Sequence, residues 1–514
     1  MNNQKFSFFN NRVVFIISIG LAFFTGVYVN NLRQDKVNGN LFGQDTVVDE
    51  NYFRYYDMFR QAYQILQNEY VDINKVDSKT LLSGAIRGML FSTEDPYTDF
   101  LSPEIAEEFA TTLNATFYGV GIRIELRHNW LTVVAPIKGT PAAEADLQAG
   151  DQIVEIDGES TKGLTSLEAV SKIRGKLGTS VKFTIVRPGI LQSFQVVLKR
   201  AKIDIDTVEY SVIPYNNKKI AYIKIIEFGI PTEKEFEKIL KKALSETPDS
   251  IILDVRNNPG GLLSGVSKIA DMLLEEGLIV YTRGRVIAEN FEFKATPRNT
   301  LVSKNIPITI LGNQGSASAS EILIGALKDT GRAVFVGKTT LGKGCVQKTY
   351  PLSDGSLLKY TIAKYYSPSG NTIAKIGIKP DIEVGLWYDT LTDAQKTSVI
   401  QIQMTNYIAD FLQDNKQNVT EEKINQLYEK LIKDGYNITR EVLGFVVLQR
   451  QQVTSDTLYN LKLDAQLVKA LEVAIDKRIV TNYQYFHTAK TFEELKVLED
   501  KALEELKEQA KTNK

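Results

Sequence analysis

Histidine and cysteine are almost missing from this chain. Its 514 residues include two histidines, His128 and His487, and one cysteine, Cys345. A Ser-His-Asp triad needs a well-placed histidine, and a zinc site draws on several His or Cys ligands. Neither chemistry has enough material here, and no metal site is expected. A single cysteine forms no internal disulfide, so the redox state of the compartment cannot be read from it. An excess of one charge is missing too: 61 Lys and Arg face 62 Asp and Glu. That balance gives no global field for nucleic acid or lipid, and no nucleic-acid partner is expected. An enzyme built on this chain is pointed towards a base other than histidine.

What is present is ordinary globular composition, 43% hydrophobic and 24% charged, at a length of about two to four domains. One long apolar run stands out. Residues 13–32 carry no charge, Lys5 and Arg12 precede them, and the first acid is Asp35. A positive flank before a run of about 20 apolar residues suits a membrane span with its N-terminus, residues 1–12, in the cytoplasm. A cleaved signal peptide is the rival, but no good A-x-A site follows the run and no lipobox cysteine is present. The expectation is an uncleaved anchor, with residues 33–50 as a polar linker and the rest of the chain outside.

Beyond the linker the pattern changes three times. Residues 51–116 read as a helical region: Phe59, Tyr63, Leu66 and Tyr70 recur at helical spacing, a second helix runs from Ser78 to Leu90, and DPYTDFLSPEIAEEF reads as a turn and a short helix capped by Ser102. Residues 117–200 carry short β-rich runs (GVGIRIEL, LTVVAP, QIVEIDG, VKFTIVR, FQVVLK) around two short helical segments. Residues 201–384 repeat strand, turn and helix, with SIILDVR and IPITILG as buried strands; that order predicts a layered α/β core. Residues 385–514 read as a helical extension. Phe492, Leu495, Leu498, Ala502 and Leu506 make one amphipathic face within it, suited to packing against the core or a copy of the chain, so a homo-oligomer stays open.

Three turns in the α/β core could do chemistry. In LDVRNNPGGLL, residues 253–263, a strand runs through a Pro-Gly-Gly turn into a helix. Glycines allow close backbone approach, and a helix start offers N–H donors for an oxyanion. GNQGSASASEIL, residues 312–323, puts serines on a strand-to-helix turn, although the G-x-S-x-G spacing is absent. GKTTLGKGCVQ, residues 337–347, brackets Lys343 with glycines but fails the phosphate-loop pattern, because Gly344 stands where Ser or Thr is required. Each turn alone is compatible with plain structure. Together they supply a serine, amide donors and a lysine, which can act as a base once burial lowers its pKa.

With these strings in place, the chain resembles the C-terminal processing peptidases, or tail-specific proteases, over roughly residues 55–384. DPYTDFLSP, YGVGI, GTPAAEADLQAGDQIVEIDG, LDVRNNPGG, GSASASEI, GALKD, GKTTLGKGCVQ and GIKPDIEV occur in family order. The resemblance implies an α/β (α+β) multidomain protein: a crotonase-like peptidase core at 201–384 with an inserted PDZ domain at 117–200. It implies Ser318 as nucleophile, Lys343 as base 25 residues on, and Gln347 orienting the lysine. Gly261 and Ala319 would supply the oxyanion-hole amides. Asp329 matches an acidic family position of less certain role, and Cys345 stands where Ser or Thr is usual, read here as a packing substitution.

The implied activity is a serine endopeptidase anchored in the cell (inner) membrane by a single pass and facing the periplasm or cell exterior. Its partners are protein or peptide substrates with free C-termini, and it needs no cofactor. The PDZ loop Tyr118, Gly119, Val120, Gly121 and Ile122 would take the tail carboxylate. Two other readings stay open at this point: a catalytically silent PDZ scaffold that delivers tails to another protease, and a crotonase-like acyl-CoA enzyme.

Overall fold

The computed structural model describes residues 51–187, 190, 192–415, 419–453 and 458–476. The apolar run 13–32 and the amphipathic stretch 492–506 lie outside the described residues. Among the described residues no helix is long and apolar enough to cross a membrane.

The functional core is a six-stranded sheet in the order Val208–Tyr215, Lys218–Ile225, Ser250–Asp254, Ile308–Gly312, Ala333–Gly337, Ile382–Glu383. The first pair is antiparallel and every later pair parallel. Three of these strands are buried at every residue, which is why they read as continuous apolar runs rather than alternating ones. One face carries helices Thr232–Ser245, Leu263–Leu273 and Ala319–Asp329. They pack Phe236, Leu240, Val266, Ile269, Leu323 and Leu327 onto Ile223, Leu253, Ile310 and Phe335. Each such side chain stabilises the fold by about 1.5–3 kcal/mol.

The opposite face is covered by a distant part of the chain. Helix Ala465–Ile475 lays Leu467, Ala470, Leu471 and Ala474 on Ile213, Ile220, Ile252, Leu311 and Val336. The stretch after residue 384 is therefore not one appendage. Helices Asp393–Met404, Tyr407–Asn415, Glu421–Lys433 and Arg440–Val453 form a separate bundle with its own core. The chain then returns to complete the layered α/β core.

A second, antiparallel sheet flanks the first. Its path is Asp99–Leu101, Leu357–Tyr366, Gly277–Gly284, Glu292–Ala295, with Cys345–Pro351 also pairing to Leu357–Tyr366. Asp99–Leu101 thus ties the N-terminal region to the core, where the sequence suggested only a turn. Preceding it are helix Tyr52–Glu69, in which no residue is buried, and helix Ser78–Phe91, whose cap Asp77 accepts from Thr80 N at 3.0 Å.

The β-rich module folds as expected: strands Ile122–Arg127, Trp130–Pro136, Gln152–Ile156, Ser180–Val186 and Phe194–Lys199 pair in that order. Helices Pro141–Glu144 and Ser166–Ile173 lie between them in sequence. Leu131, Ile153, Phe183 and Ile185 form its core. Ile122–Arg127 is an edge strand, and its far end meets the helical bundle: Glu125 pairs with Arg450, Arg127 Nη1 donates to Gln413 Oε1 at 3.1 Å, and His128 lies 3.4 Å from Asp410.

Candidate active site

Strands Ser250–Asp254, Ile308–Gly312 and Ala333–Gly337 are parallel neighbours, so their carboxyl ends open on one edge of the sheet. Ligand crevices of open α/β sheets form at such edges. The three turns singled out in the sequence leave from these ends and meet there. Leu341 N donates to Ser316 O at 3.0 Å, and Ala317 N and Ser320 Oγ donate to Asn258 O at 3.0 and 2.8 Å.

Ser318 sits just before helix Ala319–Asp329 with φ 54° and ψ −114°. A non-glycine residue there carries strain of about 1–3 kcal/mol unless its surroundings hold it. Here they do. Ser318 N donates to Glu321 Oε2 at 2.9 Å, while Ser318 O accepts from Ile322 N at 3.0 Å and from Tyr365 OH at 3.3 Å.

Glu321 is the hub of the site. Its carboxylate is fully buried and accepts four hydrogen bonds: Ser318 N at 2.9 Å and Lys343 N at 2.8 Å on Oε2, and Thr340 Oγ1 at 2.6 Å and Gly342 N at 2.7 Å on Oε1. Burial pushes its pKa up, and the four donors pull against that. One carboxylate thus fixes the backbones of both Ser318 and Lys343. The sequence reading missed it, because a Glu in the first turn of a helix ordinarily faces solvent.

Lys343 is 1% exposed. Burial lowers its pKa from 10.5 to about 7, with the charge of Lys359 acting the same way and Glu321 and Asp95 opposing. Its Nζ lies 3.4 Å from Gln347 Oε1 and 5.1 Å from the centre of the Tyr97 ring. Gln347 Nε2 donates to Tyr97 O, and Tyr365 OH donates to Lys343 O. The segment Asp95–Thr98 is therefore part of the lysine's surroundings. It is secured by Thr98 Oγ1 on Asp95 at 2.6 Å and by Thr361 N on Thr98 Oγ1 at 3.2 Å. The only sequence signal for it was the DPYTDF string. Cys345 is half-buried, and burial raises its thiol pKa. After Lys343 the chain enters strand Cys345–Pro351 rather than a helix, as a non-phosphate-loop turn should.

The glycine turn closes the cluster. Gly260 and Gly261 have φ of +106° and +142°, values that side-chain-bearing residues rarely adopt. A Cβ on Gly260 would lie 2.7 Å from Ser318 Cβ and 2.8 Å from Ala319 N, so only glycine lets this turn rest on the serine. The backbone is clamped by Phe228 N on Gly260 O at 2.8 Å and Leu262 N on Phe228 O at 2.7 Å. The neighbouring Glu227 is pushed up to about 7 by burial, with Glu235 adding to the effect.

Ser318, Lys343, Gln347, Gly261 and Ala319 are thus brought to one place. Asp329 is not. It ends the eleven-residue helix that Ser318 begins, about 15 Å along the axis. There its Oδ2 accepts from Ser369 N and Oγ at 3.1 and 2.6 Å. These contacts brace the turn at Ser369. His128, one of the two histidines, lies away from this cluster in the hairpin turn of the β-rich module, beside Asp410. Among the described residues no cluster of three or more His, Cys, Asp or Glu could hold a metal ion.

Tyr118 to Ile122 form a separate feature of the β-rich module. Val120 O accepts from Ala142 N at 2.9 Å, and Gly121 O accepts from Ile137 N at 2.8 Å and Thr140 Oγ1 at 3.1 Å. In a trans peptide C=O and N–H point opposite ways. With these carbonyls turned into the module, the N–H groups of Gly121 and Ile122 point out of it, the arrangement of an anion nest.

Comparison with known proteins gives a consistent picture. Residues 219–384 match Peptidase family S41, residues 119–198 match a PDZ domain, and residues 16–105 match the activating protease CtpB N-terminal domain. The chain is 37% identical over 380 residues to the carboxy-terminal processing protease CtpB of Bacillus subtilis (strain 168), covering 73% of this chain and 78% of that one. It is 37% identical over 340 residues to a carboxy-terminal-processing protease of Bartonella bacilliformis, covering 65% and 76%. It is 35% identical over 335 residues to the B. subtilis protease CtpA, covering 64% and 69%.

Proposed function

The chain belongs to the carboxy-terminal processing proteases of peptidase family S41, serine-type peptidases with a PDZ domain, and from that premise we propose that it is a membrane-anchored endopeptidase working through a Ser318–Lys343 dyad. Residues 13–32 anchor it, and the crotonase-like core faces the periplasm or cell exterior. The PDZ loop Tyr118–Ile122 takes the carboxylate of a protein tail on its outward amides, and the tail adds along the edge strand Ile122–Arg127.

Neutral Lys343 accepts the Ser318 hydroxyl proton as Oγ attacks the scissile carbonyl carbon. The amides of Gly261 and Ala319 hold the oxyanion. The protonated lysine then gives its proton to the departing amine, leaving an acyl-enzyme. Water, deprotonated by the same lysine, attacks the ester; as the C–O bond breaks the lysine passes that proton to Ser318 Oγ, releasing the acid and restoring the dyad. Gln347 keeps Nζ aimed, and Glu321 keeps the two backbones in register. The observation that carries this reading is the buried Lys343 with a pKa of about 7, tied through Glu321 to a strained serine. The test is cleavage of an unfolded polypeptide by the intact protein beside Ser318→Ala. Loss of cleavage in the variant with folding preserved is the expected result; undiminished cleavage overturns the dyad, and no cleavage by the intact protein returns the chain to the silent-scaffold reading.

A further inference from the structure

The return of the chain after the helical bundle does more than cover a sheet face. Asp464 caps helix Ala465–Ile475, accepting from Leu467 N at 2.9 Å, and it also reaches Arg256, which opens the turn leading to Gly261. Arg256 Nη1 and Nη2 each donate to one oxygen of Asp464 at 2.7 Å. Nε donates to Asp254 at 3.0 Å, Nη2 to Asp254 at 2.6 Å, and Nη1 to Gln466 Oε1 at 3.3 Å. These contacts use all the N–H groups of a guanidinium. The side chain is only 13% exposed, so none of them is readily replaced by water. Asp254 is itself held by Tyr222 OH at 2.6 Å, and Gln466 Nε2 donates to Val384 O at 2.8 Å. Planar, bidentate pairing fixes direction as well as distance. The next residue, Asn257, has φ 56° and is pinned by Asn313 Oδ1 on its N–H at 2.9 Å.

We propose that Asp464 is a positioning residue for the peptidase reaction: through Arg256 it sets the angle at which the Asn257–Gly261 turn presents the Gly261 amide to the developing oxyanion. This rests on the reading of Gly261 as an oxyanion donor. Without Asp464 two guanidinium N–H groups lose their partners inside the protein. Arg256 must turn to find others, and the turn that follows moves with it. The defect then falls on the transition state rather than on substrate capture.

The test uses the full chain as wild type, Asp464→Asn, Asp464→Glu and Ser318→Ala. Measured are kcat, KM, the pH–rate curve, the melting temperature, and affinity for a peptide boronate, whose tetrahedral serine adduct puts an oxygen in the oxyanion position. Asp464→Asn should lower kcat by about 10–100-fold, with boronate affinity falling alongside and KM and the acid limb of the pH curve unmoved. Asp464→Glu should recover part of the loss. Wild-type kcat in folded Asp464→Asn overturns the proposal, as does a loss that vanishes once rates are divided by the folded fraction. If Asp464→Asn does not fold, Asp464→Ser, which keeps a helix cap, is held to the same two outcomes. Ser318→Ala separates the levels. Residual cleavage there sinks the dyad itself, whereas a dead Ser318→Ala beside a fully active Asp464→Asn sinks only the role of Asp464.

Discussion

A lysine acts as a base only while neutral, and burial is what makes Lys343 neutral near pH 7. The rate should therefore rise with pH and level off above a midpoint near 7. Lys343→Arg should lose cleavage by about 10²–10⁴-fold or more, because arginine stays protonated; near-normal turnover by the folded variant would remove Lys343 from the mechanism. Glu227 offers a residue-scale test on stability. Its pKa is raised in the folded state from 4.5 to about 7, so the native protein binds more protons than the unfolded chain between those values and stability drops as pH rises through them. Glu227→Gln should remove that drop, gaining about 1–3 kcal/mol at pH 8 relative to wild type and nothing at pH 4. Denaturant titration at the two pH values reads the difference directly. Ser318, Lys343 and Gln347 could be singled out in the sequence because the strings around them resemble those of the processing peptidases. Glu321 was not, since its burial exists only where three distant turns meet.

Among the elements, the edge strand Ile122–Arg127 and the outward amides of Gly121 and Ile122 suit a chain end rather than an internal loop. A substrate with an amidated C-terminus should bind the protein about tenfold or more weakly than its free acid, since charge-assisted bonds to the nest are lost. Fluorescence anisotropy on Ser318→Ala protein measures this without turnover, and equal affinities would exclude tail capture by the loop. Most strands of the PDZ module and the core were readable from apolar alternation or continuous apolar runs. Asp99–Leu101 was not. Three residues are too few to show a period, and the strand exists only because Leu357–Tyr366 offers it an edge. Gly277–Gly284 and Glu292–Ala295 escaped notice for a related reason: their mixed polar pattern fits a sheet that is half exposed.

At the scale of the molecule, the sequence indicated a layered core and a helical extension but not that the extension supplies one of the layers. Helix Ala465–Ile475 is short, and its partners on Val208–Tyr215, Lys218–Ile225 and Ile308–Gly312 lie far back along the chain, so no local pattern could announce the contact. That layer has a consequence in time. A ribosome makes the serine, the lysine and the glutamine well before it makes the helix that shields Ile220, Ile252 and Leu311 from water. Long-range contacts of this kind form last. Nascent chains stalled with nothing beyond residue 457 outside the ribosome should be readily digested by trypsin and cleave no peptide, while chains that expose residue 476 should resist digestion and cleave. Activity in the shorter chains would show that the core closes unaided. A peptidase ordered this way should not begin cutting until helix Ala465–Ile475 has followed its own serine and lysine out of the ribosome, which spares both its unfinished self and the unfolded polypeptides emerging beside it.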